Sequence, residues 1–118
     1  MKWIIIMFML HVLDDFVLQP VCLSKLKQKK TWEGLGDLYK DDYKCALLIH
    51  ALSWSCMINL PWMFMADDML LAGLIIMNAA IHYLVDDLKA NKGKINLWQD
   101  QLCHFAQIVI TWLICVLK

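Results

Sequence analysis

Four apolar stretches, Trp3 to Leu18, Cys45 to Ala66, Met69 to Val85 and Cys103 to Leu117, alternate with segments where the charged residues concentrate. With its polar flanks each comes close to the ~20 residues that a membrane-crossing helix needs. A helix of a soluble bundle keeps a polar outer face, yet Met57 to Ala66 and Met69 to Met77 are apolar nearly all round apart from Asn59. The pattern predicts an all-α protein: an integral membrane bundle of four transmembrane helices, one domain over residues 1–118, with a polar loop at 24–44. Trp3, Trp62 and Trp98 fall near the ends of the predicted spans, where interfacial aromatics concentrate. Trp54 and Trp112 lie deeper and are expected to pack.

Composition strengthens the membrane reading. Apolar residues make up 61% of the chain and mean hydropathy is +0.55, against an apolar share of ~45–50% in soluble domains. The eleven basic residues are all lysines. Lys25, Lys27, Lys29, Lys30, Lys40 and Lys44 fall in the first loop and Lys89, Lys92 and Lys94 around the third, whereas only Lys2 and Lys118 lie at the opposite ends. The positive-inside rule then makes loops 24–44 and 90–95 cytoplasmic and both termini external, in what is expected to be a bacterial inner membrane. A signal peptide is the rival reading of residues 1–22, but His11, Asp14 and Asp15 interrupt its apolar region and no small-x-small cleavage site follows. A net charge of zero and the absence of a nucleic-acid motif argue against DNA or RNA as partner.

Against this apolar background stand seven ionisable residues: His11, Asp15, His50, His82, Asp86, Asp100 and His104. Each costs at least ~2.5–3.5 kcal/mol in hydrocarbon unless it faces inward and finds a partner. His11 and Asp15, His82 and Asp86, and Asp100 and His104 are i,i+4 pairs, so each pair shares one helix face. At ~1.5 Å per residue all seven fall ~5–16 Å from the cytoplasmic ends of their spans, in one layer. An imidazole and a carboxylate one turn apart can ligate one cation, or the carboxylate can orient a ligating imidazole. There are enough ligands for one metal and its supporting shell, or for two metals.

The neighbours have plainer readings. Asp14 and Asp87 point away from Asp15 and Asp86 and are expected to be solvated, to cap helices or to pair with Lys89. His50 alone would be an ordinary hydrogen-bonded core histidine. Gln19 extends the first polar face and Asn78 the third, and Gln19 and Gln101 suit interhelical hydrogen bonds. Cys22, Cys45, Cys56, Cys103 and Cys115 show no C-x-x-C spacing, and Cys103 projects about 100° from His104, so none is a strong co-ligand. The methionines read as span packing. The first loop mixes lysines with Trp32, Leu35, Leu38, Tyr39 and Tyr43, which suits a segment lying on an anionic leaflet.

Three strings add a resemblance. His11-Val-Leu-Asp14-Asp15-Phe16-Val17-Leu18-Gln19-Pro20, His82-Tyr83-Leu84-Val85-Asp86-Asp87-Leu88-Lys89 and Asp100-Gln101-Leu102-Cys103-His104 resemble, in order, the motifs of the domain-of-unknown-function 3307 family, small membrane proteins of phages and bacteria. The resemblance covers all but the first loop and implies no activity. The H-x-x-x-D layout is more distantly similar to small membrane proteins described as metal-dependent hydrolases.

The leading functional expectation is a membrane-embedded, metal-dependent hydrolase or transferase acting on a lipid head group or lipid-linked phosphate. His11, Asp15, His82, Asp86 and His104 are its expected metal ligands. Asp100 or His50 is the expected general base, and Lys89 offsets phosphate charge. Nitrogen and carboxylate donors suit Zn²⁺ or Mn²⁺. Two other classes stay open: a phage-encoded membrane interaction protein that inhibits a host membrane or defence protein, with a structural His/Asp layer, and a proton or ion conduit. A homo-oligomer is compatible with each of them.

Overall fold

The computed structural model describes residues 2–118, all helix and connection. Helix α1 (Lys2–Val12) runs directly into a π-helical segment, Leu13–Leu18. Two short helices follow, α2 (Val21–Leu26) and α3 (Lys29–Trp32). Three long helices complete the chain: α4 (Asp42–Asn59), continued by a 3₁₀ turn at Leu60–Trp62, α5 (Asp68–Ala90) and α6 (Leu97–Leu117).

Among the described residues three helices, not the four that hydropathy predicts, are long and apolar enough to cross a membrane: Asp42–Trp62, Asp68–Ala90 and Leu97–Leu117. The first apolar stretch falls short because its α-helix ends after eleven residues. Pro20 forces Gln19 out of helical backbone, to φ −73°, ψ 104°. The Gln19 N–H closes instead on the carbonyl of Asp14 at 3.0 Å, a wide i→i−5 turn.

Local chemistry sets the other boundaries. The Asp67 side chain accepts from the Leu70 N–H at 2.9 Å and caps α5. Asn96 and Gln99 form a reciprocal capping box at the start of α6, both bonds 3.0 Å. Before it, Gly93 takes φ +59°, a conformation that favours glycine, in the turn from α5 to α6.

The ends of the bundle sort by sequence. Asn91, just past α5, accepts from the Lys29 N–H at 2.7 Å and donates to the Lys27 carbonyl at 3.1 Å, so the first and third connections share one end. At the opposite end Lys118 pairs with Asp67, and the rings of Trp3 and Trp62 lie 6.2 Å apart. Near that second end Met7, Trp54, Ile58, Trp62 and Ile108 form a buried apolar core. Towards the first end the interior turns polar, with His50, Asn78, His82, Asp86, Asp100 and His104 all buried, while Ile49, Ile76, Leu84, Leu102 and Phe105 face outward. A surface this apolar around a polar interior suits a lipid environment and would be an association hazard in water.

Candidate metal centre

Four helices bring the seven ionisable residues together. On α5 and α6 the straight i,i+4 spacing places His82 above Asp86 and Asp100 below His104. His104 Nε2 lies 3.5 Å from Asp86 Oδ1 and 3.4 Å from Asp100 Oδ1, and His82 Nε2 lies 3.8 Å from Asp86 Oδ1. The two imidazoles stack with centroids 4.1 Å apart, and the Trp54 ring stacks against His82 at 4.3 Å and lies 5.3 Å from His104. From α4, His50 Nε2 lies 3.3 Å from Asp15 Oδ1 and 3.5 Å from Asp86 Oδ2.

These separations are compatible with a ligand set. N–H···O bonds fall at ~2.7–3.2 Å, whereas ligands held ~2.0–2.1 Å from a tetrahedral ion lie ~3.3–3.4 Å from one another. Among the described residues two groups converge closely enough that they could hold a cation: His82, Asp86 and His104, all buried, and Asp15, His50 and His82. Both ring nitrogens of His82, Nε2 of His104, Oδ1 of Asp100 and Oδ1 of Asp15 are buried without a hydrogen-bond partner in the protein. Unpaired buried polar atoms cost ~1–3 kcal/mol each, and a cation is one group that could satisfy several of them.

The orientation of His104 comes from outside this group. Gln107 donates its amide nitrogen to the Asn78 carbonyl at 3.0 Å, which turns Gln107 Oε1 towards His104 Nδ1 at 3.4 Å. A carbonyl oxygen only accepts, so this contact favours a proton on Nδ1, and in the neutral ring that tautomer leaves the Nε2 lone pair on the side of Asp86 and Asp100. Asn78 in turn donates to Thr111 at 2.9 Å.

His11 is tied differently. Trp54 donates its indole N–H to His11 Nδ1 at 2.7 Å, and the other ring nitrogen lies 3.1 Å from Gln101 Oε1. Both nitrogens are engaged, and His11 stands outside the two converging groups although Asp15, its i,i+4 partner, lies inside one.

The expectation that Asp14 points away is overturned. Asp14 is 2% exposed, accepts from Ser53 Oγ at 2.8 Å and places Oδ2 3.9 Å from His50 Nδ1. The wide π-helical turn narrows the angle between Asp14 and Asp15 below the α-helical 100°, and both reach the interior. Asp87 does face the third connection, but its partners are Lys92 at 3.0 Å and Asn91 at 2.9 Å. Lys89 pairs with the fully buried Asp100 instead. Cys103 is exposed.

Lys27 is the residue that sequence reasoning missed most completely. Its stem threads from the end of α2 into the bundle, only 6% exposed, and its ammonium donates to Asp86 Oδ2 at 2.7 Å and Gln19 Oε1 at 3.2 Å. Trp54, expected only to pack, is the hydrogen-bond donor to His11. A cavity of about 380 Å³ opens between the first loop and the ends of α5 and α6. Asp15, His50 and Asp86 line it together with Lys27, Lys30 and Lys89.

A family model described as "Protein of unknown function (DUF3307)" matches residues 3–118. No curated protein and no solved structure matches the chain.

Proposed function

The chain belongs to the DUF3307 family, and from the geometry of its buried layer we propose a membrane-embedded enzyme, dependent on a divalent metal, that hydrolyses or transfers a lipid head group or lipid-linked phosphate. In this reading α1 and its π-helical extension, eleven plus six residues and about 25 Å long, cross as the fourth span. The lysine-rich end lies on the cytoplasmic side.

One observation carries the proposal: buried His and Asp atoms without hydrogen-bond partners sit beside a cavity that three lysines also line. His82, Asp86 and His104 would hold the ion, with Asp100 beside them, and their nitrogen and carboxylate donors suit Zn²⁺ or Mn²⁺. Such an ion lowers the pKa of water and offsets charge on a phosphoryl oxygen. Lys27, Lys30 and Lys89 supply the anion-binding wall, at the level where a phospholipid head group lies. Of the two general-base candidates, His50 lines the cavity while Asp100 is fully buried behind it and paired with Lys89. The bond formed joins water oxygen, or an acceptor hydroxyl, to phosphorus; the bond broken joins phosphorus to the leaving oxygen, which takes up the proton.

The conduit reading fares worse, because Met7, Trp54, Ile58, Trp62 and Ile108 close the bundle beyond the polar layer. The interaction-protein reading keeps one supporting feature: the Asn78–Gln107–Thr111 network fits a purely structural polar layer as well.

The test is elemental analysis of the full chain purified in mild detergent, joined to a phosphate-release assay on mixed micelles of phospholipid and lipid-linked pyrophosphate. The proposal expects bound Zn²⁺ or Mn²⁺, activity that chelation removes, and loss of both in His104→Ala at unchanged gel-filtration profile. Folded, metal-free protein that binds neither ion on addition would overturn it.

A further inference from the structure

We propose that the site takes two divalent cations bridged by Asp86, and that the Lys27 ammonium stands in the second position until an ion displaces it. The inference rests on the metal reading above and adds an ion position to it.

The Asp86 carboxylate is shared between two donor sets. Oδ1 faces His82 and His104 at 3.8 and 3.5 Å, whereas Oδ2 faces His50 Nε2 at 3.5 Å and Lys27 Nζ at 2.7 Å. His50 Nε2 is also 3.3 Å from Asp15 Oδ1, a buried oxygen with no hydrogen bond. The His82 ring neighbours both His50 and His104, with centroids 5.0 and 4.1 Å away, and belongs to both converging groups, Asp15–His50–His82 and His82–Asp86–His104. An ion that binds its ligands at ~2.0–2.2 Å serves one of these groups and leaves the rest of the other unserved. A bridging carboxylate suits a pair of ions ~3.5–4 Å apart, the spacing of two-metal phosphoryl-transfer sites.

Charge explains the lysine. Four buried or nearly buried carboxylates, Asp14, Asp15, Asp86 and Asp100, face two ammonium groups, Lys27 and Lys89. Uncompensated charge is costly in a low-dielectric interior. With both lysines inward, one divalent ion balances the layer; exchanging Lys27 for a second ion leaves one positive charge, which an anionic head group in the cavity would offset while the lysine withdraws along its flexible stem. His50 then serves as a ligand rather than as a base.

Manganese titration of the full chain in mild detergent, followed by electron paramagnetic resonance, tests this. Two Mn²⁺ per chain should bind, the isolated-ion signal giving way to a spin-coupled one as the second enters. Lys27→Met keeps the apolar stem without the ammonium and should tighten the second ion at least tenfold. Saturation at one uncoupled ion in both proteins would remove the second position and leave the metal centre standing, whereas no binding in either would remove both. Two ions with unchanged affinity in Lys27→Met would take Lys27 out of that position.

Discussion

Trp54 donates its indole N–H to Nδ1 of His11 across 2.7 Å, and this bond decides what the histidine can offer. With Nδ1 accepting, the ring proton sits on Nε2 and is directed at Gln101 Oε1. No lone pair is left for a cation. His11→Ala should therefore leave ion content unchanged while destabilising the bundle, because the buried Trp54 donor loses its partner at a cost of ~1–3 kcal/mol. Elemental analysis and thermal unfolding in detergent separate the two effects; a fall in bound metal without a fall in Tm would make His11 a ligand.

Gln107 makes the opposite case, a residue without contact to the proposed ion that should still govern it. Its amide is held by the Asn78 carbonyl and presents an oxygen to His104 Nδ1. Gln107→Leu removes that acceptor and frees the imidazole to reverse its tautomer. Metal affinity should fall ~10–100-fold, the range typical of partners behind a ligand. Gln107→Glu, which keeps an acceptor, should retain most of it. Equal losses in the two variants, read by competition with a chelating dye, would show that Gln107 only packs.

The histidine and aspartate pairs were legible because α5 and α6 are regular where they carry them, so i,i+4 spacing translates directly into one face. Asp14 was not legible. Pro20 announces a helix end, but nothing in Leu13–Leu18 announces that the turn before it widens and brings two successive aspartates inward. The same local break kept the first apolar stretch from being a fourth long helix. Lys27 looks like the five other lysines of its loop; only the fold shows that its stem is the one reaching Asp86. Trp54 carries a polar handle that apolar patterning ignores.

Sidedness gives an independent prediction. The Asn91 clamp fixes residues 27–29 and the third connection at one end of the bundle, and the pairing of Asp67 with Lys118 fixes the C-terminus at the other. Reporter fusions after Lys30 and Lys92 should therefore read alike, and by lysine content cytoplasmic, while a fusion after Lys118 reads external. A cytoplasmic C-terminus would invert the bundle and move the cavity away from the cytoplasmic head groups.

Asp86 and Asp87 are adjacent on α5 and differ by 100° around it, which makes them a controlled comparison. Asp86 touches His50, His82, His104 and Lys27; Asp87 touches Lys92 and Asn91 outside the layer. Asp87→Asn keeps an acceptor for Asn91 and loses only a pair at the bundle's end, worth ~0–1 kcal/mol, so ion content and activity should persist. Asp86→Asn replaces the central anionic donor with an amide and should abolish ion binding. It also strands the Lys27 ammonium in the interior, which can cost ~3–5 kcal/mol and unfold the chain. The double variant Asp86→Asn with Lys27→Met removes both partners together and should restore the folded gel-filtration profile without restoring the metal. If the folded double variant still binds divalent ions as the unmodified chain does, Asp86 is no ligand and the polar layer is structural.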